Sequence, residues 1–150
     1  MQSVAFRLDS LIDHHTSALH AIPEDKMTYK SSPSKWSKKE IIGHLADSAQ
    51  NNIRRFIVAQ YEESPKIVYN QDQWVALSGY QQYDTASLIA LWQSLNKHMV
   101  VILKKISKEM SQRHCQTENL HTIEWLAEDY IKHLEHHLHQ VLELEPVAYP

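Results

Sequence analysis

Only two glycines, Gly43 and Gly79, occur in this chain of 150 residues. All-β folds spend glycine freely on turns, and phosphate-cradling loops need several in close succession, so both are excluded. A glycine-poor chain rich in Leu, Ile, Ala, Glu, Lys and Gln favours helix instead. The length suits a single domain over residues 1–150 that can bury a core of its own.

Four segments carry apolar residues at helical spacing. The first runs from about Ser3 to Leu19, with Val4, Leu8, Leu11, Ile12, His15 and Leu19 on one stripe. The second has the clearest start: Ser37-Lys38-Lys39-Glu40 fits a capping box, with Ser37 as N-cap and Glu40 at N3. Its stripe continues through Ile41, Ile42, Leu45, Ala49, Ile53, Phe56 and Ile57 and should end near Gln60. The third follows Asp84 and uses Leu88, Leu91, Trp92, Leu95, Met99, Ile102, Leu103 and Ile106. The fourth follows Thr122 and uses Ile123, Leu126, Ala127, Tyr130, Leu134, Leu138, Val141 and Leu142. Four amphipathic helices in one chain predict an all-α, up-down four-helix bundle. Residues 61–83 lack a sustained period and form the one long connection. A connection of that length in a compact bundle is commonly either disordered or functional, and Trp74 and Tyr80 within it are candidates for packing over a substrate.

Charge and cysteine content narrow the function. The net charge is −3 and the basic residues are scattered, so a nucleic-acid partner is not expected. No stretch approaches the roughly 20 apolar residues of a membrane span, and Met1 to Ser10 has no apolar signal core. Cys115 is the only cysteine, which excludes an intrachain disulfide framework and a cysteine-rich zinc cluster. The expectation is a cytoplasmic protein with no membrane partner.

Histidine is the outlier, with eleven residues, four of them between His133 and His139. His133 lies three residues after Tyr130, and His137 three after Leu134, so both sit on the apolar stripe of the fourth helix. At i and i+4 they stack one turn apart, about 6 Å between Cβ atoms. His44 sits at the edge of the second helix's stripe, three residues after Ile41. Metal sites in bundles are built from inward-facing side chains of different helices. Three histidines so placed would form one face of a divalent metal site and leave coordination positions open for water or substrate. Asp129 precedes His133 by four residues and Asp47 follows His44 by three, so either carboxylate could orient an imidazole, reach the ion or act as a base. The bland alternative is that an i,i+4 histidine pair marks a solvated or interface face. His136 and His139 are rotated away from the stripe and read as surface residues. His15 and His98 read as isolated core or rim histidines.

Three segments resemble the DinB-like, YfiT-type superfamily, whose members are taken to be metal-dependent enzymes. They are Trp36 to Ser48 around Gly43-His44-Leu45-Ala46-Asp47; Tyr69 to Val75 with Tyr80 and Leu91 to His98; and Asp129 to Gln140 around His133-Leu134-Glu135-His136-His137. Together they span most of the chain. The resemblance implies a four-helix bundle with one divalent ion, nickel or zinc, on His44, His133 and His137. It also implies a homodimer, and a small-molecule substrate such as the low-molecular-weight thiol (bacillithiol, mycothiol or glutathione) used by thiol S-transferases of this kind. The functional expectation is therefore a metal-dependent transferase in which an activated thiol attacks an electrophile. The alternatives are a metal-dependent hydrolase and a non-catalytic, small-ligand-binding or stress-related dimeric bundle.

Overall fold

The computed structural model describes residues 1–149. Its four long helices are α1 (Gln2–His20), α3 (Lys38–Val58), α5 (Thr85–Lys105) and α7 (Ile123–Leu142). Three short helices, α2 (Glu24–Thr28), α4 (Gln71–Ser78) and α6 (Lys108–Ser111), lie in the connections. The four expected stripes become these four long helices, and the start signals act as read. Ser37 accepts from the Glu40 amide while Glu40 accepts from the Ser37 amide, a complete capping box. Asp84 caps α5 and Thr122 caps α7 through their side chains.

Paired residues give the helix directions. Lys97 bonds Asp9 and Asp13, while Gln2 reaches the Lys104 carbonyl, so α1 and α5 are antiparallel. Arg7 pairs with Glu128, and His15 faces His139, so α1 and α7 are parallel. Lys38 pairs with Glu143 and His44 meets His133, so α3 and α7 are antiparallel. Glu24 on α2 holds both Lys39 and Thr85, which puts the starts of α3 and α5 at the same end. The chain thus runs up, down, down, up, which refines the up-down reading. α1 and α3 each pack on both α5 and α7. Because α3 and α5 are parallel, the segment between them must travel back along the bundle. This explains why that connection, residues 59–84, is the longest of the three, although those at 21–37 and 106–122 are longer than the single-long-connection reading expected.

The connection is more ordered than its lack of period predicts. Asn70 caps α4 by accepting from the Gln73 amide, and Gly79 ends it at φ 70°, a left-handed conformation that suits glycine. Ile67 and Val75 are buried against the core. Between α6 and α7 the polar stretch forms a small antiparallel hairpin, β1 (His114–Gln116) and β2 (Leu120–Thr122), the one departure from all-helical structure among the described residues. Cys115 is buried there, with its thiol donating to the Pro65 carbonyl. Across the bundle, Tyr130 of α7 donates to Asn96 of α5 at 2.6 Å, which satisfies two buried polar groups. Among the described residues no helix is long and apolar enough to cross a membrane.

The capping box offers a direct check on this fold. Ser37→Ala removes one of the two reciprocal bonds at the start of α3 and should lower unfolding free energy by about 1 kcal/mol, read from denaturant midpoints at unchanged m-value. An unchanged midpoint would mean that packing alone fixes where α3 begins.

Candidate metal centre

His44 lies in the second turn of α3 and is 1% exposed, because this face of the helix is pressed against α7. His133 and His137 come from adjacent turns of α7 on the side that meets α3. The antiparallel pairing of the two helices brings all three imidazoles to one point. His44 Nε2 stands 3.0 Å from His133 Nε2. One ring nitrogen from each of the three residues lies within 4.8 Å of the others.

The donor set fits a divalent cation. Two nitrogens 3.0 Å apart subtend roughly 90–100° at an ion with metal–nitrogen bonds of about 2.0–2.1 Å. His137 Nδ1 is held by Gln140 Oε1 at 3.0 Å, which leaves its Nε2 lone pair for the centre. Burial also keeps the rings neutral, the form that ligates a metal. Burial, with a smaller contribution from His137, holds the His44 pKa down at about 4. Burial and the neighbouring histidines push His133 down to about 2. His137 is lowered by burial too, partly offset by its bond to Gln140. The Trp36 ring packs 4.9 Å from that of His44 and closes its outer side.

The two carboxylates occupy different places from those their spacing suggested. Asp47 is buried in α3 and accepts from the Tyr80 hydroxyl at 2.5 Å, and it does not bond His44. Its Oδ2 and His44 Nδ1 are both buried without a partner. Burial raises the Asp47 pKa to about 6, with the Tyr80 bond opposing the shift. Asp129 accepts from Tyr149 at 3.0 Å rather than from His133. It lines a cleft of about 860 Å³ between α3 and α7, and His133 forms part of the same wall.

The loop residues also need correction. Tyr80 does not face the cleft. Its ring lies directly on α3 at Gly43, where a Cβ would come within 2.2–2.5 Å of ring carbons, so the missing side chain is what lets Tyr80 turn inward to Asp47. Trp74 is half-buried behind Tyr69, ring to ring at 5.3 Å, and does not line the cleft either. The aromatic of the connection that does reach the cleft is Tyr69.

Several site residues escaped the sequence reading. Gln140 could have been found from its position three after His137. Ser48, Asn52 and Arg55 continue from His44 at steps of four, four and three, a polar stripe that lines the cleft below the histidines. His136 and His139 are not simply solvated: their Nδ1 atoms donate to the Val147 and Glu145 carbonyls, both at 2.6 Å, and hold the segment after α7 against that helix. This segment brings the Tyr149 ring to 5.3 Å from His133.

His133→Ala and His137→Ala should each abolish stoichiometric metal binding, and His44→Ala should weaken it severely, measured by elemental analysis of folded protein. His136→Ala and His139→Ala should keep the ion and loosen only the segment that follows α7. Loss of the ion in His136→Ala with retention in His133→Ala would show that the wrong helix face has been assigned.

Comparison with known proteins shows the family and the fold. The chain is 29% identical over 113 residues to YfiT of Bacillus subtilis, covering 73% of this chain and 64% of that protein. A relative in Halalkalibacterium halodurans is 29% identical over 129 residues, covering 81% of this chain and 75% of the relative. One in Oceanobacillus iheyensis is 30% identical over 113 residues, with 73% and 64% covered. All three carry the provisional name of metal-dependent hydrolase. The chain therefore spans less than two thirds of the length of two of these relatives. The solved structure of Bacillus subtilis YfiT, described as having an unusual four-helix bundle topology, superposes with a TM-score of 0.84 at 23% identity, covering 94% of this chain and 83% of that one. The model of the DinB superfamily matches residues 7–141, and the chain belongs to that superfamily.

Proposed function

We propose that this protein is a metal-dependent enzyme that uses one divalent ion on His44, His133 and His137 to activate a small nucleophile against a substrate in the adjoining cleft. The observation that carries this reading is the double position of His133, which belongs both to the three-nitrogen cluster and to the cleft wall. A purely structural metal would have no need of a cleft at its side. A divalent ion on three neutral imidazoles supplies Lewis-acid chemistry, lowering the pKa of a water or thiol in its open position. Nickel and zinc both suit an imidazole donor set.

The chain's own residues divide the remaining work. Gln140 fixes the His137 ring, and Trp36 excludes water from the outer side of His44. Asp47, tied to Tyr80 inside the bundle, positions the start of α3 against the connection. Of the two carboxylates that line the cleft, Asp129 and Glu118, Asp129 is the one a single helical turn from His133. We assign it the role of proton acceptor. The provisional name of the relatives supports water as the nucleophile and hydrolysis as the reaction. Thiol transfer is the second reading, supported by a cleft of about 860 Å³, large enough to hold a thiol and an acceptor together.

Two assays of metal-loaded protein separate these readings: one follows cleavage of an ester and amide panel, the other follows consumption of a low-molecular-weight thiol with an electrophilic acceptor. Turnover in either should scale with metal content and vanish in His133→Ala. Asp129→Asn should lower kcat by about 10²-fold or more. Unchanged kcat in Asp129→Asn would remove its assigned role. Turnover that persists in fully metal-free protein would remove the metal-dependent reading altogether.

A further inference from the structure

Arg55 stands out among the charged groups that the metal chemistry leaves unused. It lies three turns along α3 from His44, on the same polar stripe, and lines the cleft that His133 also borders. The guanidinium is half-buried, yet no carboxylate lies within ion-pairing distance of it among the described residues. The groups it bonds are neutral. Nε and Nη2 donate to the Ile67 carbonyl at 3.2 and 3.1 Å, and Nη1 donates to Asn52 Oδ1 at 3.3 Å. The Tyr69 ring lies 5.8 Å from the guanidinium carbon, and Trp74 braces that ring from behind.

A guanidinium has five N–H donors, so two remain uncommitted after these three bonds. Drawing a charge out of water beside neutral acceptors alone is costly unless an opposite charge completes the site. Asp129 and Glu118 border the same cleft and Asp129 acts on Arg55 through space, but neither carboxylate lies within ion-pairing distance of the guanidinium. Guanidinium donors match the paired oxygens of a carboxylate or phosphate. Here they are already oriented by Ile67, Asn52 and Tyr69, so little freedom is lost on binding.

We propose that the substrate of this cleft carries an oxyanion, a carboxylate or a phosphate, and that Arg55 holds it while the reacting part of the molecule lies toward His133. This deepens the metal-dependent reading and rests on the cleft being the substrate site. The opposing view is that Arg55 serves only to pin the connection to α3 through Ile67. Arg113 is the internal control. It pins the connection in the same manner, donating to the Ala59 and Glu62 carbonyls, but does not line the cleft.

Calorimetric titration of the zinc-loaded protein with inorganic phosphate, and separately with succinate, tests this. We expect one saturable site for at least one of the two anions, and the tighter of them identifies the group. Arg55→Gln should weaken that binding about tenfold or more, the consequence of losing a charge-assisted hydrogen-bonding pair. Arg113→Gln should leave it unchanged. If Arg55→Gln does not fold, proton–nitrogen spectra of the wild-type protein carry the test: the amides of Asn52, Arg55, Tyr69 and Asn70 should shift saturably with the anion. Repeating the titration after chelation separates this proposal from the metal reading. Arg55-dependent binding that survives metal removal supports the anion site whatever becomes of the metal chemistry. Binding that needs zinc and ignores Arg55 would put the anion on the ion and overturn the proposal, while leaving the metal reading intact. No saturable binding of either anion, or equal losses in Arg55→Gln and Arg113→Gln, would overturn it as well.

Discussion

Burial between α3 and α7 keeps three imidazoles neutral within 4.8 Å of one another, and the surrounding structure follows from that constraint. Protonated rings at this separation would repel, and burial would make each charge costlier still. The bundle therefore offers lone pairs where an exposed histidine cluster would offer a pH-dependent mixture. The antiparallel pairing of α3 with α7 sets the convergence, the capping box fixes where α3 begins, and Gln140 sets the tautomer of His137. Gly43, the residue before His44, lets the connection lie directly on the α3 backbone through Tyr80.

Direction of the chain explains the remaining architecture. With α3 and α5 parallel, the segment between them has to cross the length of the bundle. In doing so it supplies Ile67 to the core, Tyr69 to the cleft and Tyr80 to Asp47. One end of the cleft is walled by this segment, and the hairpin contributes Thr117, Asn119 and His121 to another side. His121 stacks on Trp125 at 3.6 Å between ring centroids, a flat aromatic surface on the cleft wall. The three histidines thus come from regular helices, where position is rigid, while much of the cleft wall comes from connecting segments. That division pairs a fixed cluster with a wall built from segments that tolerate change.

Much of this was legible in the sequence, for identifiable reasons. Helical period and side-chain caps are local, so the four long helices and the starts at Ser37, Asp84 and Thr122 could be read directly. His133 and His137 could be singled out because an i,i+4 pair on an apolar stripe shares the face that packs on a neighbouring helix. Helix direction was not legible, because amphipathic period says which face is buried and nothing about which neighbour covers it. The roles of Asp47 and Tyr80 were misplaced for a related reason: three-residue spacing suggested a bond to His44, but the space left by Gly43 brings Tyr80 to the carboxylate instead. Arg55 was missed because its significance lies in the absence of a carboxylate partner, which only three-dimensional packing reveals. His136 and His139 looked like surface residues because the segment that covers them has no period of its own.

Whether His44, His133 and His137 hold one divalent ion is decided by crystallography of protein purified without a histidine-affinity step. Anomalous difference maps, collected on both sides of the absorption edge of the metal found by elemental analysis, should show one peak per chain. That peak should lie within about 2.0–2.1 Å of a ring nitrogen from each of the three residues, with Nδ1 of His137 still on Gln140. A peak on His136 or His139, or full metal content with no peak at the α3–α7 contact, would contradict the account.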